Sequence, residues 1–121
     1  LLHGDYRLDN ILYRPDGSIV VIDFQILSKG RPGWDVAYFI TTALNPEHKN
    51  EEDTLLRHYH NVLYSEGVSD YPFDLLLEDV RVTKLLLAHR LVGGRDAFDT
   101  ELQDSDETFV DVLVKRVVGW I

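Results

Sequence analysis

Apolar residues fall in short β-rich runs at the front of the chain and settle into helical spacing behind them. Ile11-Leu12-Tyr13 and Ile19-Val20-Val21-Ile22-Asp23 flank Arg14-Pro15-Asp16-Gly17-Ser18. In that connection proline presets its φ angle, aspartate tolerates a turn conformation and glycine accepts positive φ, so the pattern predicts a hairpin. Residues 28–34 hold two glycines and a proline and read as a loop. Asp35 then stands where it would N-cap a helix starting at Val36, and this helix should stop near Asn45-Pro46, because the residue before proline disfavours helical geometry. Leu55, Leu56, Tyr59, Val62 and Leu63 predict a second helix over 50–65 with Gly67 just past its end. A third is predicted from Phe73 to Val92, its wide apolar face carrying Leu76, Leu77, Val80, Leu87 and Leu91, with Gly93-Gly94 ending it. Ser105 or Asp106 caps a last helix through Val117 or Val118. The expected fold is α+β and mostly helical, a small hairpin in front of a helical body.

Length and composition narrow this picture. At 121 residues the chain suffices for one compact domain with a real core. No apolar run approaches the length of a membrane span, and Leu1-Leu2 meets His-Gly-Asp without a signal peptide. Cysteine is absent, which excludes disulfides, thiolate metal sites and Cys nucleophiles and fits a cytoplasmic protein. A net charge of −9 argues against a nucleic-acid partner and is compatible with a cationic small substrate. The chain starts with Leu and contains no Met, so it reads as a fragment of a longer protein.

The chemistry concentrates in His3-Gly4-Asp5-Tyr6-Arg7-Leu8-Asp9-Asn10 and in Asp23. If residues 14–18 form the loop, Tyr13 faces Ile19, Ile11 faces Val21 and Asn10 falls near Ile22. Opposed positions lie roughly 5 Å apart at Cβ, so Asn10 and Asp23 emerge at the open end of one hairpin. An amide oxygen and a carboxylate there suit Mg²⁺, a hard ion that also binds substrate phosphates. Asp5 lies beside the same place without being a ligand and could accept the proton of an attacking hydroxyl. Base, metal amide and metal carboxylate in this order follow the kinase pattern H-R-D-x-x-x-x-N and D-F-G, with Gly4 in place of the Arg and Gln25 in place of the final Gly.

With those departures, HGDYRLDNILY, VVIDFQ and Gly33-Trp34-Asp35-Val36-Ala37-Tyr38-Phe39 resemble the aminoglycoside phosphotransferase and choline kinase-like superfamily, and most closely its ecdysteroid kinase-like branch of small-molecule kinases. The resemblance is specific over residues 2–40. It implies a protein-kinase-like C-terminal lobe over 1–121, with ATP and Mg²⁺ as cofactors and a hydroxyl of a small molecule as acceptor. Asp5 would be the base, and Asn10 and Asp23 the Mg²⁺ and nucleotide ligands. His3 would orient the loop from behind, Asp35 would brace it through backbone N–H groups, and Arg7 would touch the transferring phosphate. Arg7 reads equally well as a surface salt-bridge partner, Asp35 as a plain N-cap, and Asp9 as solvated.

Other candidates are weaker. His58 and His60 are two apart on a helix and face different sides, and His48 and His89 are isolated. The acids over 99–107 read as a solvated stretch, and Trp34 and Trp120 as packing residues. No glycine-rich phosphate loop occurs, so the N-terminal nucleotide lobe is missing and the chain alone should lack kinase activity. A non-catalytic nucleotide-binding or scaffolding domain on the same fold is the alternative, opposed by the intact trio Asp5, Asn10 and Asp23. A protein kinase lobe is opposed by Gly4, Gln25 and the lack of an Ala-Pro-Glu element.

Overall fold

The computed structural model of the chain describes residues 1–93 and 109–121. It is mostly helical with one small antiparallel sheet, β1 (Ile11–Tyr13) and β2 (Ile19–Val21). The pairing is Ile11 with Val21, Leu12 with Val20 and Tyr13 with Ile19, the register expected from the turn chemistry. Gly17 takes φ +82°, and Ser18 closes the turn by donating its N–H and hydroxyl to Asp16 Oδ1 at 2.9 and 2.7 Å. These bonds, the hydroxyl first, hold the Asp16 carboxyl below its ordinary range. The second strand ends earlier than its apolar run, because Asp23 turns into the left-handed region at φ +65° and cannot continue a ladder.

Behind the hairpin stand α1 (Gly33–Ala43), α2 (Glu52–Ser65), α3 (Phe73–Gly93) and α4 (Phe109–Trp120). Helix α1 begins two residues before the predicted loop should end. Pro32, with φ already at −64°, occupies the cap position, and Asp35 lies inside the first turn without capping it. The reason is tertiary. A Cβ on Gly33 would come within 2.5 Å of Asp79 Cβ, so only glycine lets α1 run this close to α3. The junction is tied by Arg31 Nη1 and the Tyr71 hydroxyl, which donate to the two Asp79 oxygens at 2.8 and 2.6 Å. Burial, then the bond to Asp79, pushes the Tyr71 phenol well above its ordinary range.

Helix α1 stops at Ala43 as Leu44 turns extended, and Asn45 caps a 3-10 segment, Pro46–Glu51, that precedes α2. Part of the predicted second helix is therefore this tighter turn. The last helix runs to Trp120, beyond its predicted end, while its predicted cap and the acidic stretch over 99–107 lie outside the described residues. The core joins Ala37, Ile40, Leu56, Leu76, Val80 and Trp120 from all four helices with Tyr71 from the turn before α3. Leu55, Val62 and Leu77, expected on apolar faces, are more than a third exposed. Lys84 lies buried beneath Trp120. It donates to the Trp120 carbonyl at 3.0 Å and pairs with Glu52 at 2.6 Å, which satisfies the charge and closes the end of α4. Among the described residues no helix is long and apolar enough to cross a membrane.

Candidate active site

Residues 3–10 form a loop, closed by a 3-10 turn at Leu8–Asn10, between the bridge of Leu2 to Ser28 and strand β1. Helix α1 holds it with one face. Residues 33, 37, 40 and 41 of that helix are buried, whereas 34, 35, 38 and 39 form the opposite stripe. Each residue of the second stripe meets a residue of the loop. Asp35 accepts the N–H groups of His3 and Gly4 at 2.7 and 2.9 Å. Trp34 Nε1 donates to the Gly4 carbonyl at 3.2 Å. Tyr38 lies near Asp5, whose charge bears on its phenol, and the Phe39 and Tyr6 rings lie 5.4 Å apart.

Gly4 is the pivot of the loop. Its φ is +87°, and a Cβ would sit 2.9 Å from the Ile26 carbonyl oxygen. The Gly that departs from the protein-kinase pattern is thus required by both conformation and space. His3 is buried beside it. Its Nε2 faces the Ile22 carbonyl at 2.8 Å, which can only accept, and its Nδ1 accepts the Asp5 N–H at 3.3 Å. Those partners define the neutral Nε2–H tautomer. The ring packs against Phe24 at 4.7 Å and so links the loop to the segment carrying Asp23.

Asp5 and Asn10 are brought together. Asn10 is buried, and its Nδ2 donates to the Asp5 carbonyl at 2.8 Å and to Asp5 Oδ2 at 3.1 Å. That commits the amide nitrogen and leaves the amide oxygen for a cation. Asn10 is joined to the far strand by the Ile22 N–H, which donates to its backbone carbonyl at 2.9 Å, and Asp23 is the next residue. Asp23 is exposed and its side chain meets Gln25 Nε2 at 3.5 Å. Arg7 lies over Asp5, with Nε 3.4 Å from Oδ2 and Nη1 3.7 Å from Asp9 Oδ2. Its Nε is buried and makes no aligned hydrogen bond. Arg7 is therefore an ion-pair partner of the two aspartates in this structure.

Among the described residues no group of three or more His, Asp or Glu could hold a metal by itself. One amide oxygen and one solvent-facing carboxylate do suit an ion that keeps waters and shares its coordination with phosphates, so the donor set fits Mg²⁺. Two of the histidines outside the loop have other partners. His60 Nε2 donates to the Tyr71 carbonyl at 2.8 Å, and His48 meets Glu51 at 3.1 Å. Tyr38 was not singled out by sequence, although its place three residues after Asp35 puts both side chains on one helical face. Burial first, then the nearby Asp5 carboxylate, pushes its phenol up to about 12.

A family match supports, at the level of class, a kinase-like phosphotransferase. The chain belongs to the ecdysteroid kinase-like family, whose model matches residues 1–67, more than half of its length. It is similar to part of acyl-CoA dehydrogenase family member 11 of Gallus gallus, at 38% identity over 52 residues, 37% of this chain and 7% of that protein. Probable acyl-CoA dehydrogenase IBR3 of Arabidopsis thaliana is 36% identical over 58 residues, 42% of this chain and 7% of that protein. Acyl-CoA dehydrogenase family member 10 of Mus musculus is 42% identical over 40 residues, 31% of this chain and 4% of that protein. The chain spans no more than 7% of the length of these relatives. No solved structure matches it significantly.

Proposed function

We propose that this chain is the C-terminal, catalytic lobe of an ATP-dependent kinase that phosphorylates a hydroxyl of a small molecule. The observation that carries the reading is the bond pair from Asn10 Nδ2 to Asp5. It couples a carboxylate free to take a proton with an amide whose oxygen is free to meet a cation. Asp5 Oδ2 carries both the Asn10 and the Arg7 contacts, which leaves Oδ1 for a hydroxyl proton. As the acceptor oxygen bonds to the terminal phosphorus, its proton passes to Asp5. The bond from that phosphorus to the bridging oxygen breaks, and a nucleoside diphosphate leaves. Asn10 Oδ1 and the Asp23 carboxylate would hold Mg²⁺, whose chemistry there would be the neutralisation of phosphate charge. Arg7, already beside Asp5, would swing to or share the transferring phosphate. The apolar Leu12, Tyr13 and Ile19 are at least half exposed on the hairpin and form the surface a nucleotide lobe would cover. The excess of acids favours a cationic acceptor.

In the full-length protein, Asp5→Asn should reduce phosphate transfer by about 10²- to 10⁴-fold, the usual contribution of a positioned base, with Mg-ATP affinity within about twofold of wild type. Equal loss of both would remove the base assignment. Mg-dependent ATP binding by the wild type, with no transfer to any compound in a panel of hydroxyl acceptors, would favour the non-catalytic binding domain instead.

A further inference from the structure

We infer that the cleft between α2, α3 and the end of α4 binds a small amphipathic carboxylate, an aliphatic chain with one anionic head. The cleft lies apart from the chemistry described above, since none of its walls comes from residues 3–10, from Asp23 or from α1. It measures about 580 Å³, within the roughly 300–1,000 Å³ of small-molecule sites. Helix α3 builds one wall. Leu77, Arg81 and Leu85 follow at intervals of four and share one face, with Val80 and Lys84 beside them. Leu56 and Val80 line the cleft as buried core residues, whereas Leu85 and Ile121 line it at least half exposed. Apolar surface is thus left bare inside a concavity, and a methylene chain laid there would remove it from water.

The charges of the cleft select the head. Glu52 is held by Lys84 at 2.6 Å and Asp53 by Arg57 at 2.7 Å. Lys49 and Arg81 have no carboxylate partner among the described residues. Two cations therefore stand in excess at this cleft, in a chain whose net charge is −9, and they complement an anion. Lys84 adds a buried donor. It is 8% exposed, and Nζ gives one proton to Glu52 and one to the Trp120 carbonyl at 3.0 Å. An ammonium has three donors, so one remains for a carboxylate oxygen. Glu52, beside the same Nζ, repels a second negative charge, which favours a carboxylate over a phosphate monoester.

The test uses the full-length protein and octanoate as the probe, read by calorimetry and by the methyl NMR signals of Leu77 and Leu85. Octanoate should bind saturably and shift both signals. Octylammonium, which reverses the charge, and acetate, which lacks the chain, should each bind about tenfold more weakly. Arg81→Gln and Lys49→Gln change exposed side chains, so their melting temperatures should match wild type, and each should weaken octanoate about fivefold. Leu85→Glu, also at an exposed position, should weaken it by more than about tenfold. Arg14→Gln, on the hairpin turn, removes the same charge elsewhere and should leave binding unchanged. Equal affinity for octanoate and octylammonium, or equal loss in Arg14→Gln and Arg81→Gln, would overturn the site. Shifts at Leu12 and Ile19 with none at Leu77 and Leu85 would place the probe on the hairpin and overturn it as well. Tighter binding of octyl phosphate than of octanoate would overturn the choice of a carboxylate.

Discussion

The front and the back of this molecule are held by different forces. Around Leu56, Leu76, Val80 and Trp120 the helices are joined by apolar burial. Around residues 3–10 the chain is a loop with one 3-10 turn and is held by directional bonds, several of them from the outer stripe of α1. Burial is tolerant of small shifts and sums over area. Hydrogen bonds to a loop backbone fix positions, which a catalytic group needs. Helix α1 belongs to both regions and transmits the rigidity of the core to the loop.

The difference can be broken from either side. Leu76 has no exposed surface, and Leu76→Ala should cost about 2–5 kcal/mol of stability by urea titration, the range for buried leucines. The per-molecule activity of whatever fraction remains folded should change little. Asp35→Ala should cost a comparable amount, about 3 kcal/mol, since it removes two part-buried charged hydrogen bonds worth about 1.5–3 kcal/mol each rather than a core side chain. In the full-length protein its turnover per folded molecule should nevertheless fall by more than tenfold, since the loop that carries Asp5 is released. If the two variants lose activity only in proportion to stability, the front is not separately held.

The smallest effect sharpens the comparison through alkaline pH. The phenols of Tyr38, Tyr59 and Tyr71 are all pushed above their ordinary value of 10, chiefly by burial. A raised folded-state pKa contributes stability that is fully present below the unfolded value and is lost as pH rises through the folded one. Stability should therefore be flat up to about pH 10 and decline above it. Tyr38→Phe should flatten the decline between pH 10 and about 12 without changing the neutral plateau. A decline unaltered by that change would mean the Tyr38 phenol is solvated.

The hairpin and its register were legible in the chain because Pro15, Asp16 and Gly17 act locally. The proximity of Asn10 to Ile22 followed from that register alone. The start of α1 was not legible, because Gly33 is helical only where Asp79, 46 residues away, leaves no room for a side chain. Reading 28–34 as a loop and Asp35 as a cap hid the stripe of Trp34, Tyr38 and Phe39, whereas the brace from Asp35 to the loop backbone was expected from the family resemblance and is present. The two backbone N–H groups that Asp35 accepts belong to residues 3 and 4, and no local rule pairs them. Tyr38 was missed for the same reason, as its nearness to Asp5 is reached only once α1 is placed.

Amide hydrogen exchange of His3 and Gly4 tests most directly whether α1 clamps the loop. In wild type both amides should be protected well above the exposed hairpin turn. In Asp35→Ala both should approach the unprotected rate while the amides of Leu76 and Val80 in α3 keep theirs. Unchanged protection at His3 and Gly4, or an equal loss throughout α3, would contradict the account.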